Sequence, residues 1–297
     1  MSSATGADPT GNVLFVYDSV TDRPGTVLTA SSEAHPVENL IDIQPGVRWR
    51  ATGKAGWIKA DAGDGSKFEI DTVVLVAHNG TVIGTWRPRI SDSVDLSAPL
   101  HDARVDGVDP TLWQPAWGLG QNFGYNLGGY PDLARQRHLT PIRVHRLGQV
   151  VRGRVLGVDF ADSTNAASYF EAGKIMAGVA LQPRRNFRYG WSIRPAIDPS
   201  KVTKTDGGGV VIARYPAYRE IDISIGHLDL DTALTAADDM IAKIGRTRPV
   251  VVVLFPDSAS ARQYRTALYG LLVSDAAIVG THARLGEVAQ LTFQQLL

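Results

Sequence analysis

Ile70-Asp71-Thr72-Val73-Val74-Leu75-Val76-Ala77-His78-Asn79-Gly80 contains an unbroken aliphatic run, Thr72 to Ala77, that stops on a polar turn signal. A run so short and so rich in β-branched residues predicts a strand. The surrounding sequence repeats this texture. Val13–Tyr17, Thr26–Thr29, Trp57–Ala60, Phe68–Ile70 and Trp86–Ile90 are further strand-length runs, set apart by Pro24-Gly25, Gly63-Asp64-Gly65 and similar turns. Short strands at this spacing, with no helical period between them, indicate a sandwich or barrel.

Between Leu100 and Thr140 the texture changes. Gly118, Gly120, Gly124, Gly128 and Gly129 are interspersed with Trp113, Trp117, Phe123, Tyr125 and Tyr130, without periodicity. This reads as a long insertion at about 100–140, of the kind that is functional or ordered by a partner. Its rings either pin the insertion to its own domain or contact a protein or glycan partner, since aromatic side chains bury much area at little entropic cost. Strand patterns resume at Ile142–Leu147, Arg152–Phe160, Tyr169–Glu171 and Lys174–Leu181.

The stretch Gln182-Pro183-Arg184-Arg185 marks a domain boundary, giving units 1–182 and 183–297. In the second unit Asn186–Arg194, Val210–Arg214, Arg219–Ile225, Val250–Phe255, Tyr264–Val273 and Val288–Leu297 read as strands. A helix is expected over about 232–244. Asp231 can cap it, Leu234, Ala237, Ile241 and Ile244 share one face, and Gly245 follows its last turn. The fold class is therefore mainly β: a sandwich, then a second β-rich domain with one α-helix.

The bulk chemistry excludes several functions. The 297 residues hold 30 Lys+Arg and 30 Asp+Glu, so no broad basic surface for nucleic acid is expected. Cysteine is absent, which removes disulfides, thiolate metal sites and cysteine nucleophiles. Met1–Asn12 lacks the pattern of a signal peptide, and the longest apolar run, Val250–Phe255, is too short to cross a bilayer. The expectation is a soluble protein made in a cytoplasm, without membrane insertion.

No catalytic, cofactor or metal motif stands out. The histidines form no paired ligand motif, and Gly118–Gly124 fails the dinucleotide pattern because Phe123 occupies the last glycine position. His227, Asp229 and Asp231 could gather a cation, but a polar strand end leading into a helix cap is the simpler account. Carboxylates for glycoside hydrolysis abound (Glu33, Asp61, Asp71, Asp92, Asp95), yet sequence cannot pair them across a cleft. The chain reads as a non-enzyme that needs no cofactor.

Ser31-Ser32-Glu33, Pro36 to Asp42, Trp49-Arg50-Ala51, Trp57-Ile58 and Ile70 to Asn79 together resemble the discoidin-like, galactose-binding-like sandwiches of bacteriophage tail proteins. In that resemblance Trp49 and Trp57 would fill the sandwich core, and Asn39 and Asp42 would shape a turn. Tyr169 to Ile175, Gln182 to Ser192, Gly245 to Val253 and Leu268 to Leu272 are similar to the same proteins. The resemblance implies a structural component of a tail tip or baseplate, of distal-tail type, that joins tail tube to hub and fibres as a ring, a trimer or hexamer of itself. It implies location in the virion after synthesis in a host bacterium. Arg184, Arg185, Arg246 and Arg248 would then supply ring contacts, or else be ordinary solvated surface. The alternative is a carbohydrate-binding receptor module of the virion, and a glycan hydrolase appendage is a more distant one.

Overall fold

The computed structural model describes residues 11–113, 140–204, 206, 208–229, 233–256, 265–282 and 285–297. The chain is mainly β, a sandwich followed by a β-rich unit with one α-helix among the described residues, as the sequence leads one to expect. The outer sheet of the sandwich runs β2 (Val27–Ala30), β4 (Ala55–Asp61), β9 (Val155–Ala161), β6 (Thr85–Ser91) and β7 (Pro99–Asp102) in spatial order. Its partner is β11 (Lys174–Gly178), β5 (Phe68–Val76) and β8 (Ile142–Gly153). A short pair, β3 (Trp49–Arg50) with β10 (Glu171–Ala172), closes one side.

The third sheet carries the C-terminal unit. Its order is β1 (Leu14–Val16), β16 (Val250–Val253), β17 (Ala267–Leu272), β19 (Leu285–Gln295), β15 (Tyr218–Asp229) and β12 (Ser192–Ile197). The strand β18 (Ala277–His282) also pairs with β19. The N-terminal strand, grouped by sequence with the sandwich, thus sits on the far edge of the other sheet, with Leu14 opposite Val253 and Val16 opposite Val251.

Alternation along the strands explains how three sheets stack. In β5, Ile70, Val73 and Leu75 face the sandwich interior, whereas Val74 and Val76 face away from it. Those outward residues meet Leu14, Val16, Val251, Val253, Ala267 and Tyr269 from the third sheet, together with Ile142, Val144 and Met176 of their own. The middle sheet is therefore buried on both faces, which is why Thr72–Ala77 reads as a continuous apolar run rather than an alternating one. On the far side of the third sheet, Val250, Val252, Leu268, Val288, Leu291 and Phe293 pack against the helix. Each such fully buried aliphatic side chain stabilises by roughly 1.5–3 kcal/mol. Polar links cross the first junction too: the Tyr269 hydroxyl donates to the Ile43 carbonyl at 2.9 Å.

The helix α1 spans Ala233–Ile244, against an expected 232–244. Ala237, Met240 and Ile244 are its buried stripe, with Leu234 and Ile241 at the margin. Gly245, at φ 48°, ends it by donating its N–H to the Ile241 carbonyl at 2.9 Å. The expected cap, Asp231, lies outside the described residues.

Several expectations need correction. Phe68–Ile70 and Thr72–Ala77 are one strand, bulged between Ile70 and Thr72. Trp49 is buried as expected, but Trp57 is only half-buried: Ile58 and Ala60 take the inward positions of β4, so Trp57 and Lys59 face out, with the Lys59 ammonium 4.6 Å from the Trp57 ring. Asn39 and Asp42 do shape a turn, Asn39 donating to the Arg48 carbonyl at 2.8 Å and Asp42 accepting from the Gln44 N–H at 2.7 Å.

Besides the β3–β10 pair, a second two-stranded pair lies outside the three sheets. The strands β13 (Lys201–Lys204) and β14 (Val210–Ala213) pair only with each other among the described residues, and both are exposed along their length. This hairpin leaves the third sheet between β12 and β15.

Candidate functional site

The aromatic insertion does not supply a site among the described residues. Trp113 is buried in the sandwich core, its indole N–H donating to the Gly80 carbonyl at 2.8 Å and its ring edge-on to His78. Leu112 is buried beside it in space that Gly80 and Gly84 leave open; a Cβ on either would meet the Leu112 side chain at 2.2 or 2.8 Å. Trp113 is thus a core residue, not a contact. Trp117, Phe123, Tyr125 and Tyr130 lie outside the described residues.

The arginines Arg184, Arg185, Arg246 and Arg248 are all exposed, and Arg246 is ion-paired to Asp275. The loose carboxylates have local roles. Asp61 binds Arg154, Asp92 binds Lys67, and Asp71 accepts the Ala180 N–H. Asp95 is held at a pKa of about 2 by hydrogen bonds from Ser93 and Ser97. Asp229 and His227 end β15, and among the described residues no group of three potential ligands gathers.

A groove forms instead where Asn186–Trp191 crosses β15 and β19. Asn186–Arg194 was expected to be a strand, but Gly190, at φ 94°, turns the chain out of extended conformation and β12 begins only at Ser192. The first half of the segment is tied down. Asn186 accepts the Val13 N–H at 3.1 Å, and the Arg188 N–H donates to the Ser224 carbonyl at 2.8 Å. Phe187, Trp191 and Phe255 form an edge-on trio with ring centroids 5.5–5.8 Å apart. The Tyr189 side chain beside them is fully exposed.

Two reciprocal bulges shape the floor. β15 carries the extra residue between Ile225 and Leu228, and β19 carries one between Val288 and Leu291. His227 and Gln290, within these bulges, both have φ of 58°, a conformation costly for a residue with a side chain. Bulges re-aim side chains, and these two residues line the groove.

The groove has two lobes that share Tyr189 and Ser224. One, about 300 Å³, is lined by Trp191, Arg194, Asp222, Ser274, Gln290 and Thr292; the other, about 620 Å³, by Asn186, Phe187, Arg188, His227 and Glu287. In the first lobe Arg194 bonds Glu220 at 2.7 Å and lies 3.2 Å from Asp222, which also accepts from Ser192 at 2.9 Å. In the second, Arg188 pairs with Glu287, which raises the guanidinium pKa further. Each lining carboxylate is thus neutralised by an arginine. What remains is ring edges and faces bordered by hydroxyl, amide and guanidinium groups and by the His227 imidazole.

A second polar feature lies in the sandwich. His101 on β7 and His145 on β8 place their Nε2 atoms 3.0 Å apart. Burial, with His101 and Arg143 adding to it, pushes the His145 pKa down to about 4. Burial also lowers His101, against the pull of Asp102.

No family model matches the chain, and no curated protein matches it. Several solved structures are similar to part of it. CpGH89CBM32-6 from Clostridium perfringens has a TM-score of 0.35 at 13% identity, over 54% of this chain and 98% of its own. The CBM32 of AlyQ, solved with 4,5-unsaturated mannuronic acid, has a TM-score of 0.33 at 16% identity, over 55% of this chain and 96% of its own. Chitosan-binding module 2 of a chitosanase/glucanase from Paenibacillus sp. IK-5, solved with chitotriose, has a TM-score of 0.33 at 15% identity, over 52% and 97%.

Sequence singled out His227 only as a possible cation ligand and Gln182 to Ser192 only as part of a resemblance, and did not bring the groove residues together. The groove's one local signal is Tyr189-Gly190-Trp191, two aromatics around a glycine, which strand-like alternation concealed.

Proposed function

We propose that the chain is a non-catalytic carbohydrate-binding protein that holds a glycan in the groove of its C-terminal unit. The observation that carries this reading is the fully exposed Tyr189 beside Trp191, in a depression rimmed by Ser274, Gln290, Asn186 and two arginines. A sugar offers an apolar face of C–H groups for ring stacking and a perimeter of hydroxyls for planar polar side chains. The strained bulges at His227 and Gln290 support the same reading, since such conformations cluster at ligand sites. Neither lining carboxylate stands free of an arginine, which argues against the two-carboxylate arrangement of hydrolysis.

The resemblance of Asn12–Ile90 and of the C-terminal motifs to tail proteins supports a virion tail tip as the setting, with other tail proteins and a host-surface glycan as partners. In that setting the protein also links tail components. Exposed Arg184 and Arg185 favour such protein contacts.

The test is a glycan array probed with the full chain, followed by titration of the best ligand. Tyr189→Ala and Trp191→Ala should each weaken binding by roughly tenfold or more, stacking losses of about 1.4 kcal/mol or greater. Circular dichroism should not change for Tyr189→Ala, because that side chain packs against nothing. Unaltered affinity in both variants would remove the groove from the account. Detection of the protein in purified particles by mass spectrometry tests the tail setting separately.

A further inference from the structure

The β13–β14 hairpin has a largely apolar face that pairs with no other element among the described residues. Its register sets Val202 opposite Ile212 and Lys204 opposite Val210, so these four side chains share a face. Val202, Val210 and Ile212 on it are 64%, 56% and 51% exposed. A lone two-stranded hairpin is marginal in water, and one that leaves these three side chains, and Val211 on its other face, in solvent is built to be covered. The charge on its strands is positive: Lys201 and Lys204 lie on β13, Arg214 follows β14, the one carboxylate, Asp206, sits in the connecting turn, and neither lysine has an ion-pair partner among the described residues.

The complementary surface lies on this same chain. The turn from Glu38 to Val47 exposes Ile41, Ile43 and Val47, with the carboxylates of Glu38 and Asp42 among them. Neither carboxylate has an ion-pair partner among the described residues. The turn is rigidly supported from below, where Tyr269 and the buried Lys174 donate to the carbonyls of Ile43 and Ile41, both at 2.9 Å. An apolar, cationic hairpin and an apolar, anionic, well-braced turn therefore stand exposed together on one chain, each uncovered by the other.

We infer that the hairpin of one copy docks on the Glu38–Val47 turn of a second copy, with Val202, Val210 and Ile212 against Ile41, Ile43 and Val47, and Lys204 facing Asp42. Two different patches meet in this contact, so it is head-to-tail and repeats from copy to copy. Charge pairing selects the register, and apolar cover supplies the affinity.

Sedimentation of the full chain over a concentration series tests this. The parent should self-associate, and the paired variants V202S/I212S and I41S/I43S should each weaken association by roughly tenfold or more. All four positions are exposed, and circular dichroism checks that both variants stay folded. Lys204→Glu and Asp42→Lys should each weaken association, and their combination in one chain should largely restore it. Raised salt should weaken the parent's association. A parent that stays monomeric overturns the inference. So does weakening by the hairpin variants alone, which would give the hairpin another partner surface, or failure of the double charge exchange to restore association. Glycan binding by these variants should match the parent, so the groove reading stands or falls independently.

Discussion

Replacing Leu75 with alanine removes a fully buried side chain from the sandwich face of β5, while Val74 and Val76 beside it face the C-terminal sheet. Truncation of a buried leucine costs about 2–5 kcal/mol, and about 3 kcal/mol suits a site walled by two β-sheets that cannot readily collapse. Val74→Ala deletes two methyl-sized groups from the opposite face, at about 0.8 kcal/mol each plus a cavity contribution, or about 2 kcal/mol. The two residues are adjacent in sequence but serve different cores. If the middle sheet unites the molecule, both substitutions should destabilise both ends equally. Hydrogen exchange separates the ends, because the slowest amides of β9 report the sandwich and those of β19 report the third sheet. For Leu75→Ala both sets should lose the same roughly 3 kcal/mol of protection. The thermal midpoint should fall by about 6–12 °C in a single transition, at about 2–4 °C per kcal/mol. Loss of protection in β9 with β19 unchanged would refute the reasoning, because it would mean that the sandwich opens while the C-terminal sheet stays closed.

Three further outcomes follow from particular contacts. Trp49→Ala should cost about 3–5 kcal/mol, since Trp49 is fully buried against the stacked pair Phe160 and Phe170; chemical denaturation measures this, and a near-neutral result would contradict its place in the core. Gly270→Ala should be worse than ordinary overpacking, because a Cβ there would lie 1.9 Å from the Gln294 carbonyl of the paired strand; failure to recover soluble folded protein is expected, and a normal melting curve would be a clear contradiction. His145 has its pKa pushed down to about 4 by burial and stays neutral in the fold while the unfolded chain takes up a proton. Stability is therefore retained above about pH 6.5 and lost as the pH falls towards 4, by on the order of 2–3 kcal/mol. In His145→Gln that slope should flatten, and equal slopes in parent and variant would show another group to be responsible.

Much of the architecture is legible in the chain because strand runs and turn signals are local. Thr72–Ala77, Trp86–Ile90 and the helix at Ala233–Ile244 each announce themselves by period and punctuation. Long-range pairing does not. Nothing in Val13–Tyr17 says that its partner is Val250–Val253 rather than a strand of the sandwich. Burial on both faces likewise reads only as an apolar run, so the sharing of β5 between two cores emerges only from the stack. Trp57 misleads because tryptophan predicts burial, whereas strand phase, set by Ile58 and Ala60, decides it. The groove is the least legible part. It depends on two bulges in strands about sixty residues apart and on a glycine turn that keeps a strand-like alternation of residue types.

The pairing of Val16 with Val251 has a consequence for biosynthesis. At about 5–20 residues per second, a ribosome takes on the order of ten seconds to a minute to make the intervening chain. By then β11 is complete and the sandwich can close, yet β1 has only the Phe15–Leu181 bridge on one edge and an open apolar edge where β16 will pair. The outward residues of the middle sheet, Val74, Val76, Val144 and Met176, are equally bare until β16 and β17 arrive. A nascent chain stalled in this window presents an open strand beside an uncovered valine-rich sheet, the combination most prone to stick to its neighbours on a polysome. Products ending before Val250 should therefore collect in inclusion bodies, although they contain every strand of the sandwich.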